Sequence, residues 1–391
     1  MKSIKKKIIA SALAVTLLGG AFMPKANAAD ATEEQIWKDL KITKILNKVE
    51  KGVTTPDAEF EFSFTPKTEG APAIENVKIG YTAADNTDAN QEEAGVQVEK
   101  TEGVNLSKIE WPKSGIYDYE LEEVIPDPGI KDMDYGYLLN YKNRYTKPGK
   151  NSVSPYKIKF KVEEIDGKLE VTGITVFNQA GKFSGKINYD AEKGLKFKNY
   201  YDKKDGNTPG GGTDITEDDK KGFAFKKIVD SKNQTDLDKS FDFDVKVDKA
   251  VGSNSKDTVF KYVKVDKDGN VGGEQTEAYG TSFTVQLKDK ERIVFTDVIL
   301  GSKVSVTEKD SKGLTPSVKS DFFETDKTAS NDKTAAGIIG DTKGNYAEFT
   351  NKNAPLTGVL IDNLPYIALV AVAGLGIFFF VKNRREEEIY A

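Results

Sequence analysis

The chain of 391 residues contains no cysteine and no histidine. Without cysteine it forms no disulfide, offers no thiolate to a metal and has no Cys-His nucleophile pair. Without histidine it has no Ser-His-Asp triad and no imidazole metal ligand. Because the sequence shows no other arrangement that would act on an external substrate, we expect a protein that is not an enzyme and that holds neither a cofactor nor a metal.

Long apolar runs are few, and the first lies near the N-terminus, from Ile8 to Phe22. Four lysines precede this run, and Ala26-Asn27-Ala28 follows it. A positive segment, an apolar segment and an A-x-A site in this order are typical of a secretory signal peptide. We therefore predict that residues 1–28 are removed on export and that the mature chain begins at Ala29.

A second apolar run spans residues 364–381, which is long enough to cross a bilayer once. A basic tail follows the run and would hold the C-terminus in the cytoplasm. A short motif precedes it at residues 354–358, and its members are Ala354, Pro355, Leu356, Thr357 and Gly358.

Motif, span and tail together resemble the sorting signal that Gram-positive bacteria present to sortase, a transpeptidase that cleaves between Thr and Gly. The alternative is an ordinary single-pass anchor that contains the tetrapeptide by chance. Ala354 stands where the family usually has Leu, which leaves the class of sortase open.

The mature chain is acidic. The formal net charge of the full sequence is -5, and residues 1–28 carry five lysines and no acidic residue, so their removal leaves a charge of about -10. An acidic exported protein is a poor partner for a polyanion. We therefore expect no binding to nucleic acid.

The interior has a period of two, which predicts half-buried antiparallel strands. Apolar and polar residues alternate clearly at residues 60–64, 156–162 and 241–247. Asp166-Gly167 lies between two such runs and predicts a hairpin turn. Helical periodicity is scarce, so the sequence predicts an all-β protein.

The same outline of strands occurs twice, on either side of a glycine-rich and charged segment at residues 202–221. That segment has too little apolar content to pack, and we interpret it as a linker. The duplication predicts two tandem β-sandwich domains, at residues 36–201 and 222–353.

Each predicted sandwich points three polar side chains at its apolar interior. Successive side chains of a strand lie on opposite faces, and this alternation places Lys44, Glu123 and Asn199 inside the first sandwich. The alternation also selects Glu123 over its neighbour Glu122. The corresponding residues of the second sandwich are Lys227, Glu308 and Asn351.

An unpaired buried charge is costly, so the inward-facing lysine and glutamate need an explanation. Two interpretations are open. The first is a buried Lys-Glu ion pair with Asn hydrogen-bonded to it, a poor stabiliser because desolvation offsets the attraction. The second is chemical, since burial lowers the pKa of an amine and raises that of a carboxylic acid. A neutral lysine would then attack the asparagine side chain while the glutamic acid relays protons, and an amide bond between the two side chains would result.

The two-domain layout resembles the streptococcal T-antigen type of major, or backbone, pilin. The resemblance rests on the Thr-Lys and Lys-Lys openings, the Val-Thr-Glu strand and the Phe-Lys-Asn and Phe-Thr-Asn closings, and it covers essentially the whole ectodomain. It implies Ig-like sandwiches related to the collagen-adhesin B-type fold. It also implies isopeptide bonds from Lys44 to Asn199 and from Lys227 to Asn351, with Glu123 and Glu308 as catalytic proton relays.

The resemblance further implies a shaft subunit of a covalently polymerised pilus, secreted and anchored to a Gram-positive cell wall, with isopeptide bonds for mechanical and proteolytic stability. The implied partners are a pilin-specific sortase, other copies of the chain, minor pilins, a peptidoglycan precursor and a host-surface ligand. The alternative is a singly anchored surface adhesin or minor pilin that binds a host ligand.

Polymerisation requires a lysine that receives the next subunit. The resemblance places it just before the closing strand of the first domain, where the sequence has Lys193. The alternative is that Lys193 is an ordinary solvated lysine.

One further motif imitates a calcium loop, from Asp266 to Asn270 with Glu277 at the twelfth position. The sixth position is Val271, where the sharp turn of such a loop needs glycine, and no predicted helix flanks it. A hairpin turn is the better interpretation.

Overall fold

A computed structural model describes residues 35–353, except residues 51, 86–94, 140–144, 147–155, 179–184, 324 and 342–343. The predicted signal peptide, the motif at residues 354–358 and the apolar run at residues 364–381 lie outside the described residues. Within the part that the structure describes, no helix is long and apolar enough to span a membrane.

The described residues form mainly strands, which are numbered in chain order. In the first half of the chain they are β1 (Asp39–Lys48), β2 (Ala58–Pro66), β3 (Val77–Tyr81), β4 (Val96–Asn105), β5 (Gly115–Val124), β6 (Met133–Leu139), β7 (Tyr145–Thr146), β8 (Tyr156–Ile165), β9 (Lys168–Asn178), β10 (Gly185–Ile187) and β11 (Leu195–Tyr201). Short 3-10 helices lie at Ala83–Asp85 and Leu106–Lys108.

The second half continues with β12 (Lys204–Asp205), β13 (Ala224–Asp230), β14 (Phe241–Asp248), β15 (Val259–Val265), β16 (Gln275–Ala278), β17 (Ser282–Leu287), β18 (Arg292–Ile299), β19 (Lys303–Glu308), β20 (Thr315–Phe322), β21 (Thr325–Ser330), β22 (Thr334–Ile338) and β23 (Tyr346–Lys352). A 3-10 helix lies at Asp219–Lys221, and the single-turn helix α1 spans Gln234–Leu237.

These strands form two sandwiches. In the first, a sheet ordered β4-β1-β11-β6-β7 packs on a sheet ordered β10-β9-β8-β5-β2-β3. In the second, β16-β15-β18-β13-β23-β20-β21 packs on β17-β14-β19-β22. Aromatic rings fill the space between the sheets: the ring centroids of Phe62 and Phe197 lie 4.8 Å apart, and those of Phe243 and Phe349 lie 5.1 Å apart.

The predicted alternation of side chains is confirmed. Burial alternates along β2, β8 and β14, with the apolar residue buried at each second position because one face of each strand meets the opposite sheet. The predicted hairpin is also confirmed: β8 and β9 pair antiparallel on either side of Asp166 and Gly167, whose φ angles are 51° and 77°. Two positive φ angles match the turn that suits a twisted hairpin.

The first and last strands of each sandwich are parallel neighbours. In the first sandwich β1 pairs with β11, and in the second β13 pairs with β23. In sequence, the rest of each domain therefore comes between two strands that are direct neighbours in the sheet.

The interpretation of residues 202–221 as a segment that does not pack is wrong. Its strand β12 pairs with β18, and Ile215 packs on a small apolar cluster of the second sandwich. The guanidinium of the fully buried Arg292 lies 3.4 Å from a carboxylate oxygen of Asp219 and donates to the carbonyl of Gly212. The low apolar content of the segment predicted a linker that does not pack. Backbone pairing and an ion pair, more than apolar contacts, hold it against the second sandwich.

Polar contacts also join the two sandwiches directly. The Asp341 carboxylate accepts hydrogen bonds from the Thr54 backbone N–H at 2.9 Å and from Lys203 Nζ at 2.7 Å. The side-chain amide of Asn254 donates to the hydroxyl of Tyr137 at 2.7 Å, and its backbone N–H donates to Asp202 at 3.0 Å. The junction is thus a contact surface as well as a covalent connection.

Candidate functional site

The first candidate site lies between the two sheets of the first sandwich. Lys44 is on β1 and Asn199 on the neighbouring β11, where Lys44 is opposite Phe197 and Leu46 is opposite Asn199. Lys44 and Asn199 are therefore diagonal neighbours on one face. Glu123 reaches them from β5 of the facing sheet.

The three side chains form one hydrogen-bonded cluster. Lys44 Nζ donates to Glu123 Oε1 at 2.8 Å and to Oε2 at 2.9 Å. Asn199 Nδ2 donates to the same Oε1 atom at 2.6 Å. One carboxylate oxygen therefore holds both the amine and the amide nitrogen, so the carboxylate is positioned to exchange protons with each.

The second sandwich repeats this cluster. Lys227 Nζ donates to the two carboxylate oxygens of Glu308 at 3.2 and 3.1 Å, and Asn351 Nδ2 donates to Glu308 Oε1. The strand register is repeated as well, since Lys227 is opposite Phe349 and Val229 is opposite Asn351.

The position of the glutamate follows the same rule in both copies. Glu123 is opposite Phe62 on β2, and Glu308 is opposite Phe243 on β14. Strand pairing, residue types and contacts all repeat in the two sandwiches. The cluster is therefore a shared feature of the duplicated domain.

Both clusters are sealed from water. Lys44, Asn199, Lys227 and Asn351 are 0% exposed. Aromatic rings cover the amines, with Lys44 Nζ 4.5 Å from the ring centre of Phe60. Lys227 Nζ lies 4.3 Å from the ring centre of Phe241.

This burial shifts the amines toward the neutral form. Desolvation lowers the pKa of Lys44 from 10.5 to about 8, although the charge and hydrogen bond of Glu123 act in the opposite direction. Desolvation likewise lowers the pKa of Lys227 to about 8, against the attraction of Glu308. A nucleophilic, neutral amine is therefore far more accessible here than in a solvated lysine.

Sequence reasoning missed the aromatic covers and one hydrogen bond. Phe60 and Phe241 begin two of the alternating runs, at residues 60–64 and 241–247, but their place above the amines depends on which strands pair. The backbone N–H of Gly136 donates to Asn199 Oδ1 at 3.1 Å. No sequence signal indicated that contact, because it arises from an irregularity in the pairing of β6 and β11.

Lys193 lies in the turn that leads into β11 and is exposed. Its backbone N–H donates to Asp190 Oδ1 at 3.1 Å, and its carbonyl accepts from Thr43 Oγ1 at 2.5 Å. The backbone is therefore fixed, while the side chain reaches into solvent away from the buried cluster.

The calcium-like motif forms a turn between β15 and β16. The Asp266 carboxylate accepts from the backbone N–H groups of Asp268 at 2.9 Å and of Asn270 at 2.8 Å. Across the described residues, no group of three or more acidic side chains is arranged to hold a metal ion.

Comparison with known families finds a match for each sandwich. Residues 40–202 match the family described as the Spy0128-like isopeptide containing domain. Residues 221–353 match a domain of unknown function, DUF7601.

Comparison with individual proteins finds streptococcal pilins. The chain is 24% identical to a pilin of Streptococcus pyogenes serotype M1, over 94% of this chain and 98% of the relative. The crystal structure of the major pilin from Streptococcus pyogenes is 20% identical and covers 81% of this chain and 98% of its own, with a TM-score of 0.34. The T3.2 major pilin of the same species is 17% identical, with coverage of 82% and 99% and a TM-score of 0.32. The first sandwich thus matches the model of the Spy0128-like isopeptide containing domains, in a chain that is similar to a streptococcal pilin over almost its whole length.

Proposed function

We propose that this protein is the shaft subunit of a covalent, cell-wall-anchored pilus, and that each of its sandwiches crosslinks itself through a Lys-Asn isopeptide bond. The observation that carries the proposal is the buried Lys-Glu-Asn cluster, present twice with the same contacts and register. A buried ion pair alone would stabilise the fold little. Two such sites in an exported chain that has no disulfides therefore support a role of the clusters in covalent crosslinking.

The proposed reaction needs no external reagent. The Lys44 ammonium passes a proton to Glu123 along the 2.8 Å hydrogen bond, and the neutral Nζ attacks Cγ of Asn199. Glu123 then returns a proton to Nδ2 along the 2.6 Å hydrogen bond, and the C–N bond to Nδ2 breaks. Nζ passes its remaining extra proton to Glu123, which transfers it to the departing ammonia, so the leaving group departs as ammonium and Glu123 is again a carboxylate. The enclosure supplies proximity, which accounts for much of the acceleration of such reactions.

The mass of the purified ectodomain tests the proposal. Each bond releases one ammonia, so we expect a mass about 34 Da below the sum of the residues. Tryptic mapping should yield two fused peptides, one joining Lys44 to Asn199 and one joining Lys227 to Asn351. A mass equal to the sum of the residues would show that the clusters are ion pairs only.

The stability of an uncrosslinked variant should depend on pH through Lys44. Asn199→Ala keeps the amine beside Glu123, and the pKa of that amine is lowered from 10.5 to about 8 in the folded state. The unfolded chain therefore binds more protons between those values, and stability rises with pH across that window. We expect a gain of about 2 kcal/mol between about pH 7 and about pH 9.5.

Urea unfolding measures this gain, and the control is the double variant Lys44→Met, Asn199→Ala. The control lacks the amine, so subtracting its pH dependence removes the contributions of the titratable groups that do not contact Lys44. Equal pH dependence in the two proteins would show that burial does not shift Lys44.

The positions of the chain ends support head-to-tail polymerisation through Lys193 and Thr357. Lys193 precedes β11, whose other end reaches Asp202 at the contact with the second sandwich. In the second sandwich, β23 follows Asp341, which contacts Thr54 and Lys203 at the junction, and it runs parallel to β13. In the described residues, Lys193 and the last residues of β23 would then lie far apart along the subunit, which is consistent with a head-to-tail filament.

Lys193→Arg should abolish the ladder of covalent multimers that sortase produces, because arginine keeps the charge but is not acylated by the enzyme. The measurement is a denaturing gel of wall extracts or of protein incubated with the cognate sortase. The matched control is Lys168→Arg, which changes another exposed lysine of the same sandwich. An unaltered ladder in Lys193→Arg would assign the link to a different lysine.

The remaining parts of the proposal concern export and anchoring. Residues 1–28 would direct secretion, and residues 354–391 would hold the chain in the membrane until sortase cleaves after Thr357. The partners would be that sortase, further copies of the chain, minor pilins and a peptidoglycan precursor. Detection of the mature chain starting at Ala29 in the wall fraction would check the first of these steps.

A further inference from the structure

The two clusters differ at the oxygen atom of the asparagine amide. In the first sandwich Asn199 Oδ1 accepts a hydrogen bond from the Gly136 backbone N–H at 3.1 Å. In the second, Asn351 Oδ1 is buried and has no hydrogen-bond partner among the residues that the structure describes. This oxygen is the atom on which negative charge develops when an amine attacks the amide carbon.

The difference originates in the strands beside the two asparagines. Opposite Asn199, the register of β6 shifts between Lys198 and Tyr200, so that two residues of β6 face one of β11. Gly136 has a φ of 85°, a conformation that residues with a side chain rarely adopt. The bulge turns its N–H toward the asparagine side chain and away from the ladder.

The corresponding strand of the second sandwich cannot do this. β20 pairs with β23 in unbroken register from Thr315 to Asp321, and the residue opposite Asn351 is Pro316. Proline has no backbone N–H, so it offers no donor to Asn351. Regular pairing also leaves no bulge that would direct a neighbouring N–H to the site.

We propose that the Gly136 N–H is an oxyanion donor that accelerates formation of the first isopeptide bond, and that the second bond forms without such a donor. The inference rests on the proposed self-crosslinking. The donor polarises the Asn199 carbonyl before attack and stabilises the oxygen as Nζ bonds to Cγ. The donor is already within hydrogen-bond distance of the amide oxygen before the reaction, at 3.1 Å. The first bond should therefore form faster than the second in the same molecule.

Replacing the amide at residue 136 with an ester tests the role of this single donor. Glycolic acid, inserted at position 136 during cell-free synthesis, removes the N–H and preserves the glycine conformation. Crosslinking is followed by stopping the reaction at intervals and quantifying the fused and free tryptic peptides of each sandwich. We expect the first bond to form slower by a factor on the order of 100, the low end of the loss seen when an enzyme loses one oxyanion donor.

The controls separate a catalytic role from a structural one. The same ester at Gly167, in the hairpin between β8 and β9, should leave the rate of the first bond unchanged. The second bond, measured in every sample, should keep its rate in both ester proteins. Near-ultraviolet circular dichroism reports whether the ester at residue 136 still permits folding, because trypsin resistance also depends on the crosslink.

Each outcome decides the inference. One oxyanion donor is worth a factor on the order of 100 in rate. The inference is therefore overturned if the folded ester protein forms the first isopeptide bond at a rate within about threefold of that of the unmodified protein. If the ester protein does not fold, the order of formation in the unmodified protein decides, and a first bond that forms no earlier than the second overturns it. Absence of both bonds from the unmodified protein is a separate result, which refutes self-crosslinking itself.

Discussion

Asn199→Ala should lower the melting temperature of the first sandwich by roughly 10–20 °C. The change would prevent the proposed crosslink but leave the Lys44–Glu123 pair intact. In the chain-entropy model, joining residues 44 and 199 restricts the unfolded chain by about 5 kcal/mol. For a domain of this size each kcal/mol corresponds to roughly 2–4 °C. Scanning calorimetry measures the shift, and digestion with trypsin reports the accompanying loss of protease resistance.

The matched control for this prediction is Asn76→Ala. Asn76 also donates its amide to a glutamate, Glu61, at 2.6 Å, but the contact is exposed. Its loss should change the melting temperature by less than about 2 °C, since surface substitutions away from special features cost about 0.5 kcal/mol or less. Equal melting of Asn199→Ala and the unmodified protein would show that the first site contributes no covalent stabilisation.

Glu123→Ala should have the largest effect, because it removes the proton relay and leaves a buried amine without its partner. The crosslink should not form, so the stabilisation of about 5 kcal/mol is lost. Breaking a buried ion pair by deleting one partner costs about 3–5 kcal/mol more. The sum is close to the whole stability of an ordinary domain, so we expect a first sandwich that is unfolded or readily digested at room temperature.

Two further variants test whether the expected loss of stability is specific to Glu123. Glu122→Ala removes the neighbouring carboxylate on the other face of β5 and should leave both the mass deficit and the melting temperature unchanged. Adding Lys44→Met to Glu123→Ala removes the buried charge that has lost its partner. This double variant should therefore recover about 3 kcal/mol of unfolding free energy although it forms no isopeptide bond. A fused Lys44–Asn199 peptide in the Glu123→Ala protein would exclude Glu123 from the reaction.

Much of the candidate site could be predicted from the sequence because strands alternate strictly. That rule alone separates Glu123 from Glu122, and it places Lys44 and Asn199 on buried faces. Pairing partners are not contained in the alternation, so the repeated diagonal register of β1 with β11 and of β13 with β23 needed the structure. The same holds for the aromatic covers of the amines, whose positions follow from the pairing.

The parts that sequence reasoning could not reach depend on single geometric events. The bulge that brings Gly136 to Asn199 is one inserted residue in a ladder, and a glycine in a strand can equally mark a tight bend or the close approach of another backbone. The packing of residues 202–221 rests on Arg292, which composition counts as one more surface charge. Burial of an arginine follows from where a distant segment folds back, and no local pattern shows that.

The parallel pairing of the first and last strands would give the two proposed crosslinks different roles when the fibre is under tension. In a fibre joined through Lys193, a pull would enter the first sandwich at the start of β11 and continue along that single strand into the second sandwich. The bond from Lys44 to Asn199 would lie beside this load path and would only keep the taut strand in place. In the second sandwich the pull would enter through β13 and leave through β23, so the bond from Lys227 to Asn351 would carry it. Residues 228–350 would then remain slack, and a stretched filament would lengthen only if that second bond were missing.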